Sequence, residues 1–256
     1  MMNLKGLDQL RKHVPDLNTP FGILSFFLLP ILSFILVTEI FATVIPTWPI
    51  GSLGGEIVFL ILGFLLIYQF FRYKENYRAR FGLLAYSKAV QIGLPGAATI
   101  AAVVARIRSL PGPDFPHFGW DIVLPVLGWA LIVVGALLFL RTLQIFGVDN
   151  LTMLYVYFPE ESRLVNHKIY NILRHPAYSA AQWIAYGLAL LNGNWLALAW
   201  ALIFTVALWG WVRLVEEKEL VERFGQAYAE YRQGVPAFLP HLRDLRGFFE
   251  FLIAGR

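Results

Sequence analysis

Arg174, His175, Pro176, Ala177 and Tyr178 form a polar run at the mouth of an apolar hairpin, residues 177–211. A guanidinium offers a planar fork of donors that fits a carboxylate, and an imidazole titrates near neutral pH. Pro176 suits the first turn of a helix, where its missing N–H costs nothing, and it restricts His175 to an extended conformation, so the ring projects from a fixed helix entrance. Beyond the hairpin come Arg213, Glu216 and Glu217, then Phe224-Gly225, Tyr228, Tyr231 and Val235-Pro236. If the hairpin folds back on itself, both clusters reach one membrane face and can hold a soluble ligand beneath a lipid-facing roof.

Helical phase sharpens the second cluster. Leu220, Val221, Phe224, Tyr228 and Tyr231 follow Glu217 on one apolar face, so Glu217 opens a buried stripe. Glu216 is turned about 100° away. A run of charge is usually a solvated face, but a carboxylate on a semi-buried face needs a donor, and Arg174, His175 or ligand hydroxyl and amino groups are the candidates. Glu222, Arg223 and Arg232 are predicted to project the other way, as on an interfacial helix beneath a bundle.

The elements that must position these groups are membrane helices. The chain is 58% hydrophobic and 15% charged, against about a quarter charged in soluble proteins. It contains no cysteine, which removes disulfides and thiolate chemistry. Its five histidines, at 13, 117, 167, 175 and 241, are single, without the i, i+4 spacing of a helical zinc site, so no metal is expected. The basic residues flank apolar spans instead of forming one block, which argues for membrane orientation and against nucleic acid.

Apolar spans are predicted at residues 21–45, 56–71, 89–107 and 122–145, followed by the hairpin helices 177–191 and 195–211. Each full span needs about 20 residues, and the helix at 177–191 is short for a crossing. Glu39 reads as a near-interface carboxylate, and the small residues of 89–107, interrupted at Pro95-Gly96, read as a packing face. The N-terminal stretch lacks the features of a signal peptide. The loop 146–173 is long enough to cover a ligand. Nineteen Lys and Arg fall on one side of this six-span layout and only Arg106 and Arg108 on the other, which places both termini and both clusters in the cytoplasm. The expected fold is an all-α, multi-pass membrane bundle of about six transmembrane helices with a C-terminal cytoplasmic amphipathic helix. Its best internal boundary is the Pro-rich link at 110–116, dividing three N-terminal spans (1–115) from a core (116–256).

Arg174-His175-Pro176-x-Tyr178, Glu216-Glu217-x-x-Leu220, Phe224-Gly225-x-x-Tyr228-x-x-Tyr231 and Val235-Pro236 together resemble the isoprenylcysteine carboxyl methyltransferases and their phospholipid methyltransferase relatives. The resemblance covers roughly residues 122–242. It implies S-adenosylmethionine as methyl donor, with His175, Tyr178 and Glu217 holding it and Glu216 as a secondary candidate. Arg174 and Glu217 are then the catalytic pair, Arg174 clamping an acceptor carboxylate. The implied partner is a lipophilic or prenylated substrate entering from membrane lipid, most simply an isoprenylcysteine-like carboxylate, with a phospholipid amine as the other acceptor. Integral-membrane sterol reductases also resemble the Arg-His-Pro-x-Tyr run but use NADPH, and a non-catalytic scaffold or transporter is the alternative from another class.

Overall fold

The computed structural model describes residues 5–44, 49–116, 119 and 122–255. His117 and part of the turn expected after the first span lie outside them. Leu7–His13 forms α1, and a 3-10 turn at Pro15–Asn18 leads into α2, Pro20–Thr43. Thr19 caps α2, its hydroxyl oxygen accepting from the Gly22 N–H at 3.0 Å, and Pro20 takes the first helical position. Next come α3 (Pro49–Arg72), α4 (Lys74–Phe81), α5 (Ala85–Arg106) and α6 (Val123–Phe146). The short helices α7 (Val148–Leu151) and α8 (Leu154–Tyr157) open the segment expected to be a loop. The hairpin is α9 (Pro176–Asn192) and α10 (Trp195–Trp211). A π turn at Val212–Glu216 then leads into α11 (Glu217–Phe224), α12 (Gln226–Gly234) and α13 (Leu245–Ala254).

Among the described residues, five segments are long and apolar enough to cross a membrane: Pro20–Thr43, Pro49–Arg72, Lys74–Ser109, Val123–Phe146 and Trp195–Phe224. Their outward faces expose Leu24, Ile61, Val126 and Leu140, residues that a bilayer solvates and water does not. The protein is thus an all-α, multi-pass membrane bundle. The sixth expected helix, α9, has 17 residues and reaches about 25 Å. It nonetheless runs the depth of its neighbours. Asn192 Nδ2 donates to the carbonyls of Ile107 and Leu110 at 2.7 and 2.9 Å, where the Lys74–Ser109 segment ends. Asn194 Nδ2 also donates to Leu110 O at 2.7 Å, while its side-chain oxygen caps α10 by accepting from Ala197 N.

Close approach of backbones sets the helix pairs that carry the site. A Cβ on Gly187 of α9 would lie 2.6 Å from the Gly128 carbonyl oxygen of α6, and one on Gly96 of α5 would lie 2.7 Å from that of Gly63 on α3. The expected interruption at Pro95-Gly96 is therefore a contact surface, and α5 continues through it as one helix. A single apolar core joins Phe41 of α2 and Val103 of α5 to Trp200, Phe204 and Leu208 of α10, so residues from both sides of the 110–116 link pack together.

The buried intramembrane carboxylate is one that sequence reading passed over. Glu39 is exposed, within two turns of the end of α2. Glu56 of α3 is fully buried, with Arg106 Nε 3.6 Å from its Oε1. The Arg106 guanidinium also lies 5.0 Å from the Phe41 ring centroid. Charge at that depth is tolerated when paired.

Candidate active site

The two polar clusters are joined first by backbone. The N–H groups of Arg174 and His175 donate to the carbonyls of Pro236 and Ala237 at 2.9 and 3.0 Å, and Ser179 Oγ donates to Phe238 O at 2.8 Å. Chain from beyond α12 is thereby strapped across the entrance of α9. Residues 59 to 62 positions apart in the chain meet because the hairpin returns to the level at which it began.

Side chains complete the junction. Arg174 donates from Nη2 and Nε to Glu217 Oε1 at 2.7 and 3.1 Å. Its Nη1 donates to Arg232 O at 2.7 Å and to Val235 O. Four of its five N–H groups are thus used within the protein. Arg232 Nη1 approaches Glu217 Oε2 at 3.6 Å. His175 lies between two carboxylates, its Nε2 3.4 Å from Glu217 Oε1 and its Nδ1 3.6 Å from Glu216 Oε1. His175 and Glu217 are each only 5% exposed. Burial disfavours the imidazolium, but the hydrogen bonds and charges of Glu216 and Glu217 outweigh it and raise the His175 pKa.

A cavity of about 660 Å³ opens beside this network. Arg174, His175, Tyr178, Glu216, Tyr228 and Tyr231 wall its polar end. Phe64 and Ile67 of α3 and Ile100 and Val104 of α5, together with Phe204 and Leu208 of α10, wall the apolar remainder. The N-terminal helices therefore supply part of the ligand's container. Tyr178 stands beside His175, with ring centroids 5.9 Å apart. Tyr231 donates its hydroxyl to Tyr170 O at 2.5 Å.

All five residues singled out from sequence meet here, with a different division of labour. Glu217 finds the donors expected for a buried carboxylate, but those are protein groups and it contributes nothing to the cavity wall. Glu216, the secondary candidate, faces the cavity, and its Oε2 is buried without a hydrogen-bond partner among the described residues. Arg174, expected to grip an acceptor, spends its fork on Glu217 and backbone carbonyls.

Two wall residues were missed. Glu219 and Arg223 line the cavity as an ion pair, Arg223 Nη2 lying 2.8 Å from Glu219 Oε2. The expectation that Arg223 points outward is corrected, while Arg232 is exposed as expected and also reaches Glu217 Oε2. The stripe was drawn about Glu217, whereas the cavity takes Leu220, Phe224, Tyr228 and Tyr231 from that stripe and Glu216, Glu219 and Arg223 from the flank beside it, about 100° around the helix from Glu217. Glu216, Glu219, Leu220 and Arg223 follow one another at i, i+3, i+4 and i+7, a signal present in the sequence. The helix also breaks at Gly225, whose φ of +59° ends α11 and starts α12 in a new direction.

Residues 123–227 match the family model described as phospholipid methyltransferase. Over that segment the chain is similar to phospholipid methyltransferases. The matched segment holds Arg174, His175, Tyr178, Glu216, Glu217 and Arg223, while α1 to α5 precede it. The chain is 30% identical to protein-S-isoprenylcysteine O-methyltransferase of Saccharomyces cerevisiae over 152 residues, 56% of this chain and 62% of that relative. It is 34% identical to methanethiol S-methyltransferase of Pseudomonas deceptionensis over 121 residues, 46% of this chain and 44% of the relative. With protein-S-isoprenylcysteine O-methyltransferase of Schizosaccharomyces pombe the identity is 36% over 80 residues, 30% and 33% of the two chains. The chain spans about three fifths of the length of the first curated relatives it matches. No solved structure matches it.

Proposed function

We propose that this protein is an integral membrane methyltransferase that transfers a methyl group from S-adenosylmethionine to a lipophilic acceptor. The observation that carries the reading is the meeting of the Arg-His-Pro-x-Tyr run and the Glu-Glu pair of a methyltransferase segment around one cavity, polar at one end and apolar through the rest. S-adenosylmethionine, when bound, supplies a methyl group activated by attachment to a sulfonium. The residues present suit it. Glu216 Oε2 is an orphaned buried acceptor, fit to receive an amino group or ribose hydroxyls. Tyr178 offers an aromatic face that tolerates a sulfonium, and His175 stands beside it between Glu216 and Glu217. Arg174 and Glu217 act as positioning residues, holding His175 and the strap at 235–237 around the pocket.

The chain's task in such a transfer is alignment, worth up to about 7 to 11 kcal/mol in well-oriented models. The acceptor we favour is the carboxylate of an isoprenylcysteine-like molecule, which is ionised at neutral pH and needs no general base. The names of the two yeast relatives support this choice over a phospholipid amine, and the apolar walls suit a prenyl tail. The distribution of Lys and Arg supports a cytoplasmic pocket and cytoplasmic termini.

Calorimetry on detergent-purified protein tests the reading. S-adenosylhomocysteine is expected to bind and NADPH not to, and Glu216→Gln is expected to weaken S-adenosylhomocysteine about tenfold through loss of a charge-assisted hydrogen bond. Preferential binding of NADPH would replace methyl transfer with a reductase.

A further inference from the structure

Resting on the methyl-transfer reading, we infer that Arg223, held by Glu219, recognises the carboxylate of a ligand in this cavity. Three arginines touch the cavity wall: Arg163, Arg174 and Arg223. Arg174 has already placed four of its N–H groups on Glu217, Arg232 O and Val235 O. Arg163 is exposed, so water competes for it. The Arg223 side chain is only 12% exposed, and its Nε is buried with no hydrogen-bond partner among the described residues. A buried guanidinium N–H that lacks an acceptor is costly, and a ligand carboxylate entering the cavity removes that cost.

The surroundings prepare the group for this role. Glu219 binds Nη2 at 2.8 Å one turn earlier on the same face, which neutralises the charge and fixes the side chain. The Phe224 ring centroid lies 4.9 Å from the guanidinium carbon, within cation–π reach. Nε and the remaining N–H groups are left for a bidentate anion. Glu216 stands two helical turns before Arg223 on that flank, so one helix face presents an acceptor for a ligand's amino or hydroxyl groups and, about 10 Å along, a donor fork for its carboxylate.

Two ligands of the proposed reaction carry a carboxylate, the amino-acid end of the methyl donor and the acceptor. Binding of S-adenosylhomocysteine and of 5′-methylthioadenosine, which lacks the amino-acid end, to wild type, Arg223→Gln and Arg223→Lys separates them. Thermal unfolding of each variant in detergent verifies that it is folded. If the donor end is the target, Arg223→Gln loses about tenfold or more in affinity for S-adenosylhomocysteine and nothing for 5′-methylthioadenosine. If the acceptor is the target, S-adenosylhomocysteine binding is unchanged and KM for N-acetyl-S-farnesylcysteine rises about tenfold with kcat nearly constant. Arg223→Lys retains the charge without the fork and falls between. Wild-type values for Arg223→Gln with both ligands overturn the assignment; if the wild type does not methylate N-acetyl-S-farnesylcysteine, the donor comparison alone decides. Failure of the wild type to bind S-adenosylhomocysteine instead defeats the methyl-transfer reading, and this assignment falls with it.

Discussion

Glu216 and Glu217 are neighbours in the chain with opposite surroundings. Glu217 is locked by Arg174, Arg232 and His175, so Glu217→Gln removes the counter-charge of a largely buried arginine. Loss of one partner of a buried pair costs about 3 to 5 kcal/mol. A clear drop in the thermal unfolding midpoint in detergent is expected, and an unchanged midpoint would contradict the network described. His175 carries a pH dependence of definite sign. Its pKa is raised by the two carboxylates despite burial, so its contribution to stability is complete below the ordinary imidazole value of about 6.5 and is lost as pH rises through the folded value. Unfolding midpoints should therefore decline as pH rises above the ordinary imidazole value of about 6.5, and His175→Gln should flatten that decline.

At the scale of elements, the site depends on how closely α9 lies against α6 and on how α10 passes into α11. Gly187→Leu drives a side chain into the Gly128 carbonyl, 2.6 Å from where its Cβ would stand. Overpacking of this kind costs about 1 to 3 kcal/mol, and Gly54→Leu, at a position with nothing within 4 Å of its Cβ, is the matched control. Comparison of the two unfolding midpoints checks the contact, and equal values would refute it. The π turn at Val212–Glu216 belongs to the same scale. Such turns insert a residue into the helical ladder and recur at functional sites. Here the turn ends at Glu216, which faces the cavity, and α11 begins at Glu217, which faces Arg174.

For the molecule as a whole, the decisive question is which membrane face carries the pocket. The chain has no cysteine, so single introduced cysteines report topology without background. Lys168 and Ser109 are both exposed, the first on the side of the Arg174 run and the second at the far end of the Lys74–Ser109 segment. In right-side-out vesicles a membrane-impermeant maleimide is expected to label Ser109→Cys and to spare Lys168→Cys until the membrane is opened. The reverse pattern would place the pocket outside. The Glu161 carboxylate, held low by hydrogen bonds from Lys12 and His13, ties α1 to the segment after α8, so the N-terminal helix docks on the same face as the site.

Read alone, the sequence determined the membrane class, the positions of the long helices and the residue types at the site. Those follow from apolar runs of bilayer length, from Pro176 fixing a helix start, and from polar groups too costly to leave in lipid without purpose. It also carried the convergence of the two clusters, because a tight Asn-Gly-Asn turn returns the chain to its starting level. Only the tertiary structure decided which acid faces the cavity and which meets Arg174, since that depends on how the π turn at Val212–Glu216 seats α11 against the α9 entrance. Only it placed Glu56 against Arg106, because partners 50 residues apart are chosen by helix packing, which local spacing does not encode.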